Sequence, residues 1–218
     1  QAINVGDALY SLGRAALLRL TKSGVDDGKV LRALKTLDNA CINMFEGQHM
    51  DLVFQERIDL SVEQYLTMVE RKTGALMACA MELGALLATD DESVIQAFRL
   101  CGSKLGIAFQ IQQDIIDLWA DPAQSGSNPG IFNKKKTFPI VQLFDAGEVK
   151  VKRQLGTIYF KRFLEQTDME SVLTLLEESN SREVAHSTAE AYLSEAIKIL
   201  DDVDLDSSGR QRLVDIGR

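Results

Sequence analysis

Helical periodicity is the feature that most constrains the fold of this 218-residue chain. Apolar side chains recur three and four positions apart along nearly every segment, and no segment shows the alternation of a half-buried strand. Only three prolines occur, and two of them, Pro122 and Pro129, fall in one short stretch, so long spans are free to form helices. The pattern predicts an all-α bundle and one domain over residues 1–218.

Helix boundaries follow from the periodicity and from capping patterns. The predicted helices span residues 2–20, 26–56, 61–88, 89–121, 139–145, 149–165, 168–179, 181–202 and 208–218. Gly47 is the point at which the second of these could break. Three capping-box patterns predict helix starts, at residues 61–64, 89–92 and 167–170. The one long loop is expected over residues 122–138.

The charge balance excludes some partners. The net charge of −8 makes nucleic acid an unfavourable partner, and an anionic small substrate would need local cations or bridging metal ions. The longest apolar stretches contain Glu82 or Asp114, so no membrane span is predicted. No signal peptide is visible at Gln1, which predicts a cytoplasmic protein. Three widely spaced cysteines are expected to be buried free thiols: Cys41, Cys79 and Cys101.

The segment FQIQQDIIDLWAD, residues 109–121, is apolar except for one narrow polar stripe. On a helix, five residues fall on one side: Gln110, Gln113, Asp114, Asp117 and Asp121. Carboxylates three positions apart can share a divalent cation, and oxygen ligands suit Mg²⁺. The alternative is a solvated helix face without a ligand.

Two further segments carry candidate cationic groups. Lys72 and Thr73 lie within a predicted helix and precede a row of small residues that begins at Gly74. Such a row allows either close helix packing or an apolar channel. The run KKKTFP, residues 134–139, places three lysines in an acidic chain, which suits phosphate binding unless the run is simply solvated. Gln48 and Asp51 form a polar pair three residues apart beside Gly47.

The order of these motifs resembles the trans-isoprenyl diphosphate synthases, also called polyprenyl synthetases. The matching segments are QAINVGDALY, EGQHMDL, ERKTGALMACAMELGALLA, GIAFQIQQDIIDLWAD and KKKTFP. The resemblance implies an isoprenoid synthase-type helical bundle around a central apolar cavity, of which this chain would be the C-terminal two-thirds. It also implies a Mg²⁺-dependent prenyltransferase of isoprenoid biosynthesis. Such an enzyme condenses an allylic prenyl diphosphate with isopentenyl diphosphate into a longer trans-prenyl diphosphate, as a homodimer.

The resemblance assigns roles residue by residue. Catalytic roles fall to Lys72, Thr73 and Gln110, and metal ligation falls to Asp114 and Asp117. Substrate binding falls to a polar and aromatic set: Lys72, Gln110, Lys135, Phe109, Gln48 and Asp51.

Three departures from the family pattern keep other functions open. Gln113 stands where the family's second motif, DDxxD, begins with aspartate. The first aspartate-rich motif would lie before Gln1. The loop before KKKTFP has Ser127 near the position of a family lysine and lacks an aspartate. The alternatives are a class I terpene cyclase on the same fold and a non-catalytic partner subunit of a prenyl synthase.

Overall fold

The helical prediction is confirmed. A computed structural model describes residues 1–119, 131–201, 203–205, 209, 211–213 and 215, and contains no strand within these ranges. Its α-helices, in chain order, are α1 (Ala2–Leu18), α2 (Asp27–Phe54), α3 (Val62–Val69), α4 (Ala75–Ala88), α5 (Glu92–Trp119), α6 (Phe138–Ala146), α7 (Val149–Tyr159), α8 (Gln166–Glu178) and α9 (Ser181–Ile199). A 3₁₀ turn, Arg19–Ser23, follows α1, and a π turn, Glu70–Gly74, joins α3 to α4.

Helix α5 is the central element of the bundle. It packs against α4, α9, the π turn, α6 and α3, while α2 packs against α4 and the π turn. Two glycines of α5 permit its close approach to the π turn and to α4. A Cβ on Gly106 would lie 2.6 Å from the Cα of Gly74, and a Cβ on Gly102 would lie 2.6 Å from the carbonyl oxygen of Met77. The small-residue row therefore serves close helix packing at these points.

Several predicted boundaries need correction. Helix α2 runs through Gly47 without a break. The glycine lies instead at the point where α2 contacts the π turn. The capping box at Ser61 is confirmed. At the start of α5, Asp91 accepts hydrogen bonds from the backbone nitrogen and hydroxyl of Ser93, so Asp91 is the capping side chain in place of Thr89.

The other capping box is also displaced. Glu165 and Asp168 form the reciprocal capping pair of α8, two residues before the predicted start at Thr167. Helix α7 ends at Tyr159, six residues earlier than predicted. Most of the predicted loop over residues 122–138 and most of the predicted helix over residues 208–218 lie outside the described residues, as do Asp121 and Ser127.

The three thiols behave as the sequence predicts. Cys41, Cys79 and Cys101 are buried and free. Burial raises the pKa of Cys79 and of Cys101 to about 11, so both remain protonated thiols at neutral pH. In the part of the chain that the structure describes, no helix is long and apolar enough to cross a membrane.

Candidate functional site

Lys72 and Thr73 lie in the π turn between α3 and α4. Such a widened turn is rare inside a helix and frequently marks a functional site. The backbone of α2 lies directly against it, since a Cβ on Gly47 would lie 2.4 Å from the backbone nitrogen of Lys72. Glycine at position 47 therefore lets α2 approach the turn that carries both candidate residues.

Asp114 is the best-connected side chain of the site. It is only 1% exposed, and its two oxygens accept four hydrogen bonds. The Tyr65 hydroxyl donates to Oδ2 at 2.5 Å and the backbone N–H of Phe138 donates to Oδ2 at 2.9 Å. The Gln110 amide and the Lys135 ammonium each donate to Oδ1 at 3.1 Å. A carboxylate has about four acceptor positions, so these donors occupy all of them.

Lys135 joins the two aspartates of α5. Its ammonium lies 3.1 Å from Asp114 Oδ1 and 2.6 Å from Asp117 Oδ2. Burial lowers the pKa of Lys135, but the two carboxylates raise it more, and the net pKa lies above its ordinary value. Burial raises the pKa of Asp114, and Lys135 and the other donors oppose that shift. Because all four acceptor positions of Asp114 face donors, we assign it as the carboxylate.

A second pair of contacts links the π turn to α2 and α5. Lys72 Nζ lies 2.5 Å from Asp51 Oδ2. The Thr73 hydroxyl donates to Gln110 Oε1 at 2.8 Å, which fixes the Gln110 amide so that its nitrogen donates to Asp114. Hydrogen bonds thus form one polar network from Thr73 in the π turn, through Gln110 and Asp114, to Lys135 of the KKKTFP segment, and the Lys72–Asp51 pair lines the same pocket.

An apolar cavity adjoins this network. It has a volume of about 550 Å³. Thr73, Gln48 and Phe109 lie on its wall, and so does Lys72, which also lines the polar pocket shared by Asp51, Gln110, Asp114 and Lys135. The remaining lining residues are apolar: Met44, Phe45, Leu76 and Met77. The polar pocket itself is small, about 10 Å³, so a ligand with a charged end and a hydrocarbon tail would match the cavity with its charged end at the mouth of that pocket.

Gln113 lies away from the polar network. It lines a separate groove of about 570 Å³ between α5 and α9, together with Gln112, His186 and Glu190. The predicted stripe is therefore divided between two surfaces: Gln110 and Asp114 turn toward the network, and Gln113 turns toward the groove. Phe109 lines both the groove and the apolar cavity.

The described residues do not fit a metal ion at Asp114 and Asp117. No group of three His, Cys, Asp or Glu side chains there could hold a metal. The acceptor positions of Asp114 are filled, and a protein ammonium lies between the two carboxylates. Asp117 is the more accessible partner, with 40% of its side chain exposed.

Sequence reasoning missed two functional neighbours. Tyr65 belongs to no motif, yet its hydroxyl bonds Asp114 inside the core. The sequence predicts the same phosphate-binding or solvated role for all three lysines of the run, yet the side chain of Lys136 is only 1% exposed. Its ammonium donates to the carbonyl oxygen of Gln55 at 3.1 Å and lies 4.5 Å from the ring centre of Tyr159. No local pattern distinguishes the buried lysine from its neighbours.

We expect the buried Lys136 to make the protein more stable as pH rises in the alkaline range. Burial, with a smaller contribution from Lys134, lowers the pKa of Lys136 from 10.5 to about 8. At a pH between these two pKa values, Lys136 is protonated in the unfolded chain but has released its proton in the folded chain. The free energy of unfolding therefore increases as pH rises through this range. Relative to Lys136→Met, the wild type should gain about 2 kcal/mol between pH 7.5 and 10. Urea unfolding of both proteins at both pH values measures this, and an unchanged difference would contradict it.

Comparison with known proteins shows the family of this chain. The family model described as polyprenyl synthetase matches residues 1–176. The chain is 31% identical to a geranylgeranyl diphosphate synthase of Mycobacterium tuberculosis over 92% of its own length and 57% of the relative. It is 32% identical to a geranylgeranyl pyrophosphate synthase of Geoglobus acetivorans, covering 99% of this chain and 65% of the relative.

The solved structures give the same result. A crystal structure of a polyprenyl synthetase from Streptomyces coelicolor superposes with a TM-score of 0.87 at 32% identity, covering all of this chain and 65% of that one. The chain thus spans between about half and two thirds of the relatives that it matches. With a family match over residues 1–176 and relatives above 30% identity, this chain belongs to the polyprenyl synthetase family.

Proposed function

We propose that the protein is a prenyltransferase that condenses an allylic prenyl diphosphate with isopentenyl diphosphate to make a longer trans-prenyl diphosphate. The observation that carries this proposal is the position of Lys72, which lies on the wall of both the polar pocket and the apolar cavity. A diphosphate beside Lys72 would place its hydrocarbon chain along Leu76 and Phe109. Relatives named as geranylgeranyl diphosphate synthases support the substrate class.

The reaction requires stabilisation of the diphosphate leaving group and a site that excludes water from the allylic cation. Breaking the allylic C–O bond leaves both electrons on the diphosphate and a positive charge on the allyl group. The ammonium groups of Lys72 and Lys135 would stabilise the departing diphosphate. The apolar wall would keep water from the allylic cation until the double bond of isopentenyl diphosphate attacks it. Loss of a proton from the new adduct restores a double bond and completes the extension by five carbons.

Thr73 and Gln110 would complete the substrate pocket. Their mutual hydrogen bond holds oxygen atoms beside the apolar wall, where they could face the allylic cation. Gln48 lines the same cavity, and Asp51 orients Lys72. We propose the predicted roles of these residues on that basis.

Mg²⁺ stays a prediction from the family resemblance, and no step above depends on it. When bound to a diphosphate, Mg²⁺ supplies charge that neutralises the leaving group. It commonly binds through one or two carboxylates together with substrate phosphates. Turnover with EDTA in place of Mg²⁺ tests the prediction, and full activity in EDTA would contradict it.

Product analysis tests the proposed function. The protein, expressed from the full reading frame, would be incubated with Mg²⁺ and farnesyl diphosphate, with and without isopentenyl diphosphate, and its products identified by mass spectrometry. We expect products longer by five-carbon units only when isopentenyl diphosphate is present. Lys72→Met should lower turnover by about 10²–10³-fold, as removal of one oxyanion-stabilising group does. Lys198→Met, the same change at an exposed position of α9, should leave turnover unchanged.

The remaining outcomes identify the alternatives. A hydrocarbon or alcohol made without isopentenyl diphosphate would contradict elongation and indicate a terpene cyclase. No turnover under either condition would indicate a non-catalytic partner subunit. The neutral residue Gln113 and the unsuitable geometry for a metal on α5 are the observations that favour testing these two functions.

We also propose that the protein forms a homodimer. Four apolar side chains of α1 are exposed in the described structure: Ile3, Val5, Leu9 and Leu12. An exposed apolar surface of this kind is typical of an interface. Light scattering coupled to size-exclusion chromatography measures the mass, and a monomeric mass at micromolar concentration would contradict the proposal.

A further inference from the structure

We infer that α5 holds no divalent cation in this protein, that the Lys135 ammonium occupies the position between Asp114 and Asp117, and that lysines hold a substrate diphosphate from this side. This inference rests on the proposed function, because it concerns how the same substrate is bound. It replaces the metal ligation that the sequence predicts for the two aspartates.

Asp114 is saturated with hydrogen-bond donors. Its four acceptor positions receive Tyr65, Phe138, Gln110 and Lys135, and its side chain is almost completely buried. A metal ion could bind there only after one of these donors had left. Releasing the hydroxyl of Tyr65 or the backbone N–H of Phe138 would leave a buried donor unpaired, which is unfavourable because the donor cannot reach water.

Lys135 places its own positive charge between the two aspartates. Its Nζ lies within hydrogen-bond distance of one oxygen on each aspartate, and so bridges the pair as a shared metal ion would. A divalent cation at the same place would have to displace this ammonium into surroundings that already contain Lys72 and Lys136. Repulsion between cations in a partly buried pocket opposes that arrangement.

Position 113 lacks a carboxylate. Glutamine there is neutral and lines the groove toward α9, on a different surface from the Asp114–Asp117 pair. With Asp114 saturated, Asp117 is the one accessible carboxylate of this helix face among the residues that the structure describes. A single carboxylate that already pairs with Lys135 is a poor site for a hard divalent ion.

The same geometry leaves capacity for an anion. An ammonium has three donors, and among the described residues Asp114 and Asp117 engage two of those of Lys135. Lys72 pairs with Asp51 and lines the same small pocket, and each of the two lysine side chains is 28% exposed. Both lysines are held in place by carboxylates and can therefore each direct a further N–H at one diphosphate at the mouth of this pocket.

Counting bound Mn²⁺ tests the absence of the metal. Protein from the full reading frame would be titrated with Mn²⁺ and saturating inorganic pyrophosphate, and free Mn²⁺ followed by electron paramagnetic resonance. We expect wild type, Asp117→Asn and the surface control Asp59→Asn to bind the same number of ions per chain. Gln113→Asp, whose new carboxylate would face the groove toward α9 and not the Asp114–Asp117 pair, should also bind the same number. If Asp117→Asn binds one ion fewer than wild type, the inference is overturned.

Pyrophosphate binding in EDTA tests the role of the lysines. Calorimetry should detect binding to the wild type without any divalent ion, and Lys135→Met should weaken it at least tenfold. Lys198→Met, which removes an exposed ammonium from α9, should not change it. If pyrophosphate binds only when Mn²⁺ is present, this inference is overturned but the proposed diphosphate site is not. If pyrophosphate does not bind with or without Mn²⁺, the proposed diphosphate site is overturned as well. Neither assay measures turnover, so failure of the product assay with these results intact would contradict only the proposed function.

Discussion

Replacing Asp114 with alanine is expected to destabilise the protein by about 3–5 kcal/mol, the cost of removing one partner from a buried ion pair. The substitution leaves the Tyr65 hydroxyl, the Phe138 N–H and the Gln110 amide without their acceptor, and Lys135 loses one of its two carboxylates. The segment before α6 should also lose its anchor on α5. Equilibrium unfolding in urea measures the change.

Asp117 offers a matched control for this substitution. It bonds the same lysine from the same helix, but its carboxylate is partly exposed and has one charged partner in the described structure. Asp117→Ala should therefore cost no more than about 1 kcal/mol, as is usual for an exposed ion pair. If both substitutions cost the same, Asp114 does not hold the network together as its contacts indicate.

Gly47→Ala should be the second most damaging change, with a loss of about 3 kcal/mol from overpacking. The new Cβ would lie 2.4 Å from the backbone nitrogen and 2.8 Å from the Cα of Lys72. Backbone atoms cannot rotate away as a flexible side chain can, so α2 and the π turn must separate. Turnover should fall as well, because Lys72 and Thr73 move with that turn.

Gly84→Ala is the control for helix propensity. Gly84 lies within α4, and a Cβ there meets nothing within 4 Å. Alanine should stabilise this position by up to about 1 kcal/mol, because it restricts the unfolded chain and favours the helix. The same chemical change should therefore have opposite signs at the two sites in thermal or urea unfolding. A stabilised Gly47→Ala protein would contradict the close contact between α2 and the π turn.

Some features of this protein can be predicted from the sequence because they depend on neighbours along the chain. The spacing of apolar residues determines the helices, and the Ser61–Gln64 pattern starts α3 where predicted, since capping involves residues three apart. The site could be located by the same reasoning. Residue type, spacing and family resemblance indicate four candidate residues that the structure brings around one pocket: Lys72, Gln110, Asp114 and Lys135.

What each side chain does there was decided only by the tertiary structure. The stripe of α5 looks uniform in sequence, yet packing buries Asp114 beside Tyr65 and turns Gln113 toward α9. Two neighbouring lysines have different fates, because Lys135 meets two carboxylates while Lys136 enters the core beside Tyr159. A side chain is buried by, and hydrogen-bonds to, residues from segments distant in the chain. Those distant residues determine whether a carboxylate is free to bind a metal ion or is already satisfied by donors of the protein.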